Sequence, residues 1–456
     1  MKHAFASLRW SLLVWLLAAA PLFGANADRH VVLISIDGFP AYMWRDLSLP
    51  VPNLRRLAAA GATADAMTVV NPSITWINHT TLVTGVTPRK HGVLFNGLLV
   101  RNGTNRPPKI EPWVDKSRLV FAPTLYDVAH AAGLTSAEAD WVAVTRTGTI
   151  DWSFAEIPKR EDPVVKEMIA DGALTEEEVA WMQPPNRKNM VFVDNTWTRA
   201  ACYMFKKHKP NLLMYHTLNT DSTHHRYGPL SPPSYTALAY ADRLVGDLIR
   251  AVDESGRRAN TTFIITTDHG FKKVSQYVYP NVALKRAGLL RAAGPTVNEC
   301  DAYVMTQGGI AFVYVLDPAR KAELVPRLRE LLQGVDGIAR VIDGSEGPSH
   351  GMPTPEENQG MGDLILFPKS GFAFSASAAG NDLTGPSTNY GGTHGYPASD
   401  PELDGIFIAS GAGIKPGVRL ERMRNLDVAP TIAHLLGLSL PNVEGRVLTT
   451  ILAPAK

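Results

Sequence analysis

Several apolar, β-rich runs in this chain end at a polar or glycine residue and are followed by amphipathic stretches. Four of them are His30–Ile36, Asn211–Thr217, Thr261–Thr266 and Gly405–Ser410. Each is almost continuously apolar, as expected for a strand buried on both faces of a parallel sheet. Alternation of such strands with helices predicts a doubly wound α/β fold, in which helices flank a mostly parallel sheet.

The stretches between these runs have helical patterns. We predict helices at Val51–Ala60, Thr124–Ala132, Pro233–Glu254 and Leu426–Leu436. The first shows the boundary signals, because a proline stands near its start and a glycine follows its end.

Residues 272–390 follow a different pattern. They contain strand-like runs at Ile310–Leu316 and Asp363–Pro368, an amphipathic stretch at Ala319–Leu332, and loops rich in glycine, proline and serine. Pro326 lies inside the amphipathic stretch, so a helix there is expected to be kinked or to start later. We predict that residues 28–271 and 391–456 form a core and that residues 272–390 form an inserted α+β cap.

The first 27 residues have the organisation of a secretory signal. A basic start is followed by the short apolar segment Trp10–Ala20, and Ala25 and Ala27 form a small-x-small cleavage site. This segment is short for a bilayer span, and an uncleaved anchor is the alternative. We therefore expect a signal peptide at residues 1–27 and a secreted or periplasmic product without stable membrane insertion.

Net charge and cysteine content argue against two kinds of function, nucleic-acid coat binding and metal binding by thiolates. The formal net charge of +2 falls to about zero without the signal, which argues against nucleic-acid coat binding. The two cysteines, Cys202 and Cys300, could pair in an oxidising compartment or stay separate thiols. Neither belongs to a CxxC motif, which argues against a thiolate metal site. Nothing in the sequence indicates an oligomeric state.

Three aspartates, Asp37, Asp221 and Asp268, fall just after apolar runs. Ligands of open parallel sheets bind outside the carboxyl ends of the strands, so this placement would bring the three carboxylates to one rim. Taken alone, Asp37 could instead be a turn residue before Gly38, and the segment around Asp221 could be a solvated loop.

Three histidines accompany these aspartates. His225 follows Asp221 by four residues, a spacing that puts both on one face of a helix. The adjacent His224 is the alternative ligand. His269 adjoins Asp268, and His394 lies between glycines in GGTHGY. Each histidine alone could be a structural residue. Taken together, nitrogen and oxygen ligands suit zinc. Two ions about 4 Å apart could stabilise both the attacking and the leaving oxygen of a phosphoryl transfer.

The polar segment from Asn71 to Gly97 supplies a candidate nucleophile. A threonine hydroxyl needs activation, which coordination to a metal can supply. Thr75 is our candidate, although spacing alone does not exclude its neighbours Thr80, Thr81, Thr84 and Thr87. Asn96 could donate its amide to a nonbridging phosphoryl oxygen, or could be a turn residue before Gly97.

These motifs resemble those of nucleotide pyrophosphatase/phosphodiesterases of the alkaline phosphatase superfamily. The segment TWINHTTLVTGVTPRKHGVLFN, from Thr75 to Asn96, resembles the nucleophile motif of that family. The segments DSTHHRYGP, TTDHG and THGY follow in the family's order. The resemblance extends from about residue 29 to 450. It implies an alkaline-phosphatase-like fold, a catalytic core alone, and a hydrolase acting on phosphoric ester bonds.

The resemblance also implies a role for each candidate residue. Two zinc ions are implied, one held by Asp37, Thr75, Asp268 and His269 and the other by Asp221, His225 and His394. Thr75 would attack phosphorus to give a phospho-threonine intermediate, and Asn96 would hold the phosphoryl oxygen. Trp76 stands where the family has an aromatic residue beside the leaving group, with core packing as the alternative. The implied substrate is a small phosphodiester or nucleotide.

The chain departs from the family pattern at two places. No proline follows Trp76, where the family often has Thr-Phe-Pro-Asn. His216 stands five residues before Asp221, where the family's nucleotidases carry a tyrosine.

Other members of the superfamily fit less well. Monoesterases with a threonine nucleophile use a Lys-x-Arg pair, which the expected middle region lacks, and the CxPxR-like motif of sulfatases is absent around Thr75. The sequence thus favours a phosphodiesterase or nucleotide pyrophosphatase. A phosphomonoesterase or phosphonate hydrolase is the alternative, and a catalytically silent binding protein is a remote one.

Overall fold

The structure is a computed structural model that describes residues 25–388 and 390–454. The signal peptide predicted at residues 1–27 lies almost entirely outside the described residues. Among the helices of these two ranges, none combines the length and apolar character that crossing a membrane requires.

The strands extend along the whole described chain. They are β1 His30–Ile36, β2 Ala62–Thr68, β3 Leu98–Val100, β4 Lys109–Glu111, β5 Ser136–Ala139, β6 Trp152–Phe154, β7 Leu212–Thr217, β8 Thr261–Thr266, β9 Lys272–Lys273, β10 Gln276–Val278, β11 Leu290–Ala293, β12 Thr296–Cys300, β13 Ala302–Gln307, β14 Ile310–Val315, β15 Ile338–Asp343, β16 Leu364–Pro368, β17 Phe372–Phe374, β18 Thr384–Pro386, β19 Gly392–Thr393, β20 Gly405–Gly411, β21 Val418–Leu420 and β22 Met423–Arg424.

The α-helices alternate with these strands. They are α1 Ala41–Trp44, α2 Pro52–Ala59, α3 Thr75–Thr84, α4 Pro88–His91, α5 Lys116–Leu119, α6 Leu125–Ala131, α7 Pro163–Ala170, α8 Glu176–Trp181, α9 Met190–His208, α10 Asn219–Tyr227, α11 Pro232–Glu254, α12 Pro280–Arg286, α13 Lys321–Gln333 and α14 Val428–Leu435. Short 3₁₀ turns occur at Arg258–Asn260, Pro318–Arg320, Gly344–His350, Pro401–Leu403, Asn425–Asp427 and Thr449–Ile451.

A mostly parallel sheet forms the centre of the molecule. Its strand order is β21-β2-β20-β8-β1-β7-β5-β6, with β22 also paired to β2. Strands β8, β1, β7, β5 and β6 run parallel to one another. Strand β20 runs antiparallel to both β2 and β8, unlike the parallel strand that its apolar sequence suggests.

Strand β1 is buried on both faces, as its sequence predicts. Val32, Ile34 and Ile36 point into a core cluster that also holds side chains of α2, α9 and α11. Val31 and Leu33 point into a second cluster, with side chains of α3, α6 and α14. Helices therefore cover both faces of the sheet, which is the doubly wound arrangement.

Residues 272–390 contain smaller sheets with a core of their own. The sheet β13-β14-β16-β15 is antiparallel, and its apolar side chains pack with those of α12 and α13. Helix α13 continues through Pro326 and is preceded by a 3₁₀ turn. The short pair β9-β19 joins the two ends of this region. The division of the chain into core and cap stays a prediction.

The two cysteines are not linked. Cys202 and Cys300 are both free thiols, the first half-buried and the second buried. Of the two alternatives that the sequence allows, the structure has the unpaired one.

Candidate active site

The three predicted aspartates follow three adjacent parallel strands. Asp37 comes directly after β1, and Asp268 lies two residues after β8. Asp221 lies in α10, which begins two residues after β7. Because β8, β1 and β7 are neighbours with the same direction, their carboxyl ends meet at one edge of the sheet. The three carboxylates consequently lie together there.

Two of the carboxylates, Asp37 and Asp268, are held through one oxygen, and all three have one oxygen without a hydrogen-bond partner among the described residues. Oδ2 of Asp37 lies 2.9 Å from Nε2 of His216, and Oδ1 of Asp268 accepts from the backbone N–H groups of Gly38 and His269. The buried oxygens Asp37 Oδ1, Asp221 Oδ1 and Asp268 Oδ2 have no such partner. Buried polar atoms are normally satisfied, so these oxygens are available to a ligand.

The three predicted histidines all direct Nε2 toward these carboxylates. Nδ1–H donates to a backbone carbonyl in each: Gly270 for His269, Gly392 for His225 and Ser73 for His394. A carbonyl only accepts, so this bond fixes the tautomer and leaves the lone pair on Nε2. Metal-binding histidines are oriented in the same way.

Distances among the donor atoms define two overlapping groups. In one, atoms of Asp221, His225 and His394 lie within 4.8 Å of one another. In the other, the same limit holds for Asp37, Asp221 and His269. Asp221 thus belongs to both groups. Asp268 adjoins the second one, with Oδ2 3.1 Å from Nε2 of His269.

The neighbouring histidine His224 points elsewhere. It is buried, and its Nδ1 lies 3.0 Å from the carbonyl of Gly38. Since the stretch around it is the helix α10, residues four apart share a face. Asp221 therefore pairs with His225, whose Nε2 is 3.3 Å from Oδ1.

Thr75 is the first residue of helix α3, and its Oγ1 lies 3.4 Å from Nε2 of His269. Ile74 before it has no side chain that could cap the helix. Asn96 supplies the missing acceptor, because its Oδ1 accepts from the N–H of Trp76 at 3.0 Å. That bond fixes the Asn96 amide and leaves its NH₂ group free to donate.

The other threonines of the segment have different partners. Thr80, Thr81 and Thr84 donate their hydroxyls to the carbonyls four residues earlier in α3. Thr87 lies beyond the helix, where its backbone N–H donates to Glu444. Among these five threonines, Thr75 is the one whose hydroxyl faces the carboxylates and histidines.

The aromatic residue after Thr75 is packed inward. The side chain of Trp76 is only 6% exposed and belongs to a core cluster with Ile74, Val93 and Val114. Its ring lies 6.2 Å from that of Trp113, which is 52% exposed. A role for Trp76 beside the leaving group stays a prediction, and Trp113 is the ring of this pair that solvent reaches.

Burial dominates the electrostatics of the site, and neighbouring charges add to it. Burial, assisted by the charges of Asp268 and Asp221, raises the pKa of Asp37 well above its usual range. Burial also lowers the pKa of both His269 and His394 to about 3. The imidazoles of His269 and His394 are therefore neutral, and Asp37 resists ionisation. A bound cation would stabilise the ionised carboxylates.

Two contacts of the site were not predicted from the sequence. His216 lies between two buried aspartates, Asp37 and Asp140. Tyr390 stacks on His225, with ring centroids 4.5 Å apart. The position of His216 five residues before Asp221 was a local signal. For Asp140 and Tyr390 the sequence holds none, because their contacts join segments far apart in the chain.

Comparisons with known proteins identify relatives of this chain. The profile of a family described as "Type I phosphodiesterase / nucleotide pyrophosphatase" matches residues 31–397. A venom phosphodiesterase of Macrovipera lebetinus is 22% identical over 428 residues, covering 90% of this chain and 43% of the venom protein. The human ectonucleotide pyrophosphatase/phosphodiesterase family member 7 is 24% identical over 457 residues, covering 95% of this chain and 85% of that relative. The chain thus spans less than half the length of the venom relative.

Solved structures share the fold. Human ectonucleotide pyrophosphatase/phosphodiesterase 5 superimposes with a TM-score of 0.71 at 19% identity, covering 93% of this chain and 100% of that chain. The murine protein, also with a TM-score of 0.71, at 18% identity and with the same coverage, was solved as an inactive threonine-to-alanine variant in complex with AMP.

Proposed function

The chain belongs to the type I phosphodiesterase/nucleotide pyrophosphatase family, and on that premise we propose that it hydrolyses phosphodiester or pyrophosphate bonds of small molecules. Thr75 is the proposed nucleophile, and a phospho-threonine the proposed intermediate. The observation that carries this proposal is the position of the Thr75 hydroxyl, 3.4 Å from His269 at the edge where three carboxylates meet.

The start of helix α3 suits an anionic substrate. Thr75, Trp76 and Ile77 are its first residues, so their N–H groups have no acceptor within the helix. The partial positive charge at a helix N-terminus attracts phosphate. Asn96 adds the free NH₂ group of its fixed amide, which we propose holds a nonbridging phosphoryl oxygen in the transition state.

The residues at this site fit divalent metal ions. The unpartnered oxygens of Asp37, Asp221 and Asp268 face three Nε2 atoms with free lone pairs, and such mixed nitrogen and oxygen donors suit zinc. We propose two zinc ions, the first held by Asp37, Thr75, Asp268 and His269 and the second by Asp221, His225 and His394. Bound there, zinc would lower the pKa of a coordinated hydroxyl or water and offset the charge of the phosphoryl oxygens.

The proposed reaction has two displacements at phosphorus. In the first, Oγ1 of Thr75 gives its proton to water and forms a bond to phosphorus, and the leaving-group oxygen departs with the bonding electron pair. In the second, water attacks phosphorus from the side of the departed group and breaks its bond to Oγ1. Oγ1 takes up a proton, which restores the Thr75 hydroxyl, and the phosphoryl group leaves as the phosphate product. Both steps need the same Asn96 contact, because phosphorus carries the same nonbridging oxygens throughout.

The proposed substrates and location follow from the sequence and from the relatives. The names of the relatives refer to phosphodiesterase and nucleotide pyrophosphatase activity, and one structural neighbour was solved with AMP. A small phosphodiester or nucleotide is thus the proposed substrate. The signal-like first 27 residues favour a secreted or periplasmic enzyme.

Initial rates on bis(4-nitrophenyl) phosphate and 4-nitrophenyl phosphate test the proposal. The expected result is a clear preference of the zinc-loaded protein for the diester. A clear preference for the monoester would favour the phosphomonoesterase alternative. If the protein binds these esters without turnover, it is a silent binding protein.

A further inference from the structure

Tyr390 lies face to face with a proposed metal ligand. Its ring is 4.5 Å from that of His225 at an interplanar angle of 27°, and its hydroxyl is 3.3 Å from Nε2. The Nδ1–H of His225 is committed to Gly392, so Nε2 presents a lone pair. With that lone pair assigned to the proposed metal, the Tyr390 hydroxyl lies beside the ligand atom with its proton available to a substrate oxygen.

The neighbouring backbone holds Tyr390 in this position. Its carbonyl accepts from Oγ of Ser387 at 2.6 Å, and the N–H of Gly391 donates to the carbonyl of His225. A side chain at Gly391 would meet the backbone N of Gly228 at 2.5 Å. Glycine at this position thus lets the segment lie directly against the end of α10.

Tyr390 shares a cavity with several of the side chains that are proposed to hold the metal or the phosphate. A cavity of about 280 Å³ is lined by Tyr390, His225, His394 and Asn96. Thr306 and Gln307, from the region predicted as a cap, form part of the same wall. A substrate phosphate that contacts Asn96 from this cavity would therefore leave the rest of the substrate on the side that Tyr390 lines.

A series of contacts separates Tyr390 from the nucleophile. Thr75 Oγ1 contacts His269, and His269 stacks on His394 with centroids 3.6 Å apart. The ring centroid of His394 lies 5.1 Å from that of His225, and Tyr390 stacks on His225. Thr75 and Tyr390 are thus the two ends of this series. Since attacking and leaving oxygens occupy opposite sides of phosphorus in an in-line displacement, the end at Tyr390 is the leaving-group side.

We propose that the hydroxyl of Tyr390 donates a hydrogen bond to the leaving-group oxygen, which makes Tyr390 a catalytic residue of the proposed phosphodiesterase reaction. The bond from Thr75 to phosphorus forms as the bond to the leaving oxygen breaks, and that oxygen keeps the electron pair. Tyr390 keeps its proton and stabilises the developing negative charge. This inference rests on the proposed function.

Poor leaving groups depend most on such a donor. An oxygen that delocalises its charge poorly carries more negative charge as the bond breaks, so a hydrogen bond stabilises it more. An oxygen that delocalises its charge into a nitrophenyl ring needs less help. Removal of the Tyr390 hydroxyl should therefore change the dependence of rate on leaving group, which a loss of packing alone would not do.

The test compares wild type, Tyr390→Phe and the control Tyr277→Phe on methyl aryl phosphates whose leaving groups range from 4-nitrophenol to phenol. Tyr277 is a suitable control because the centroid of its ring lies 6.3 Å from that of Tyr390. For Tyr390→Phe we expect a loss of about 10- to 100-fold for the phenol ester and less than about threefold for the 4-nitrophenol ester. Tyr277→Phe should follow wild type across the series.

Two binding measurements accompany the kinetics. Zinc per chain and the affinity for inorganic phosphate should be the same in Tyr390→Phe as in wild type. An equal loss for all leaving groups, or a loss of zinc, would overturn the inference while leaving the proposed function intact. A wild-type protein that hydrolyses none of these diesters would overturn both.

Discussion

Nε2 of His216 lies 2.9 Å from Oδ2 of Asp37, and this contact turns the other oxygen of Asp37 toward the site. On its opposite side, Nδ1 of His216 lies 2.9 Å from Oδ2 of Asp140. Although burial opposes it, the two carboxylates raise the pKa of His216 well above its usual value. A histidine held between two aspartates gives Asp37 a fixed orientation without using the oxygen that would bind metal.

Replacing His216 by phenylalanine should weaken zinc binding. Loss of a partner behind a metal ligand typically costs 10- to 100-fold in metal affinity, and we expect a loss of that size, measured by competition with a chromophoric chelator. His30→Phe is the matched control, because His30 is a buried histidine of the neighbouring strand β1 and donates to Pro210 at the end of the sheet away from the site. Equal zinc affinity in wild type and His216→Phe would contradict the role of His216.

Removing a proposed ligand should remove metal and activity together. We expect Asp268→Ala and His394→Ala each to abolish diester turnover and to lower zinc per chain, as measured by elemental mass spectrometry. The exposed His130 provides a control, since His130→Ala should retain both. Fewer than one zinc per chain in fully active wild type would contradict the two-ion proposal.

Asn96→Asp separates the two functions of Asn96. The aspartate keeps an acceptor for the N–H of Trp76, so the melting temperature should stay close to that of wild type. It replaces the NH₂ donor with a negative oxygen, and loss of one such donor costs about 10²- to 10³-fold in turnover. We expect at least this loss in kcat on bis(4-nitrophenyl) phosphate. Asn96→Ala should lose stability as well. If Asn96→Asp stayed within threefold of wild type, Asn96 would have no role at phosphorus.

Glu138 should make the free energy of unfolding depend on pH. Burial raises its pKa to about 7, although its carboxylate accepts from Ser153 and from the N–H of Trp141. The folded state therefore binds this proton more tightly than the unfolded state, and the resulting stability is lost as pH rises from about 4.5 to 7. The loss should amount to about 3 kcal/mol.

The effect of Glu138 can be isolated with Glu138→Gln. Urea unfolding of both proteins in chelator at several pH values should show the stability of wild type falling relative to the variant as pH rises. A difference that is constant with pH, or that grows in favour of wild type, would contradict the raised pKa.

The elements predicted best were those whose apolar pattern is strong and local. Strands His30–Ile36 and Thr261–Thr266 have the predicted bounds, and the helix predicted at Val51–Ala60 is observed at Pro52–Ala59. Their patterns are clear because both faces of each strand, or one face of the helix, are covered by neighbouring elements.

Elements with weak local patterns were missed. Strand Ala62–Thr68 consists largely of alanine and small polar residues, which carry little β propensity, and its position depends on pairing with β20. Helix Thr75–Thr84 is buried on all sides, so it has no polar face to reveal its period. Its threonine hydroxyls are satisfied by its own carbonyls, which lets a polar sequence lie in the interior.

The sequence was sufficient to place those site residues that follow the ends of parallel strands. Asp37, Asp221 and Asp268 lie at one edge because parallel strands end together. The partners behind and beside them could not be inferred in this way. Tyr390 reaches His225 only because the segment before β19 returns to α10, and Asp140 reaches His216 from a turn with positive φ. Such contacts depend on the packing of distant segments.

The turnover of Thr75→Ala, compared with wild type and Thr75→Ser at matched zinc content, tests the proposed nucleophile most directly. With bis(4-nitrophenyl) phosphate as substrate, we expect Thr75→Ala to lose at least about a thousandfold in kcat. Thr75→Ser should retain part of the activity, because it keeps a hydroxyl beside His269. Turnover by Thr75→Ala within tenfold of wild type would contradict a covalent mechanism through Thr75.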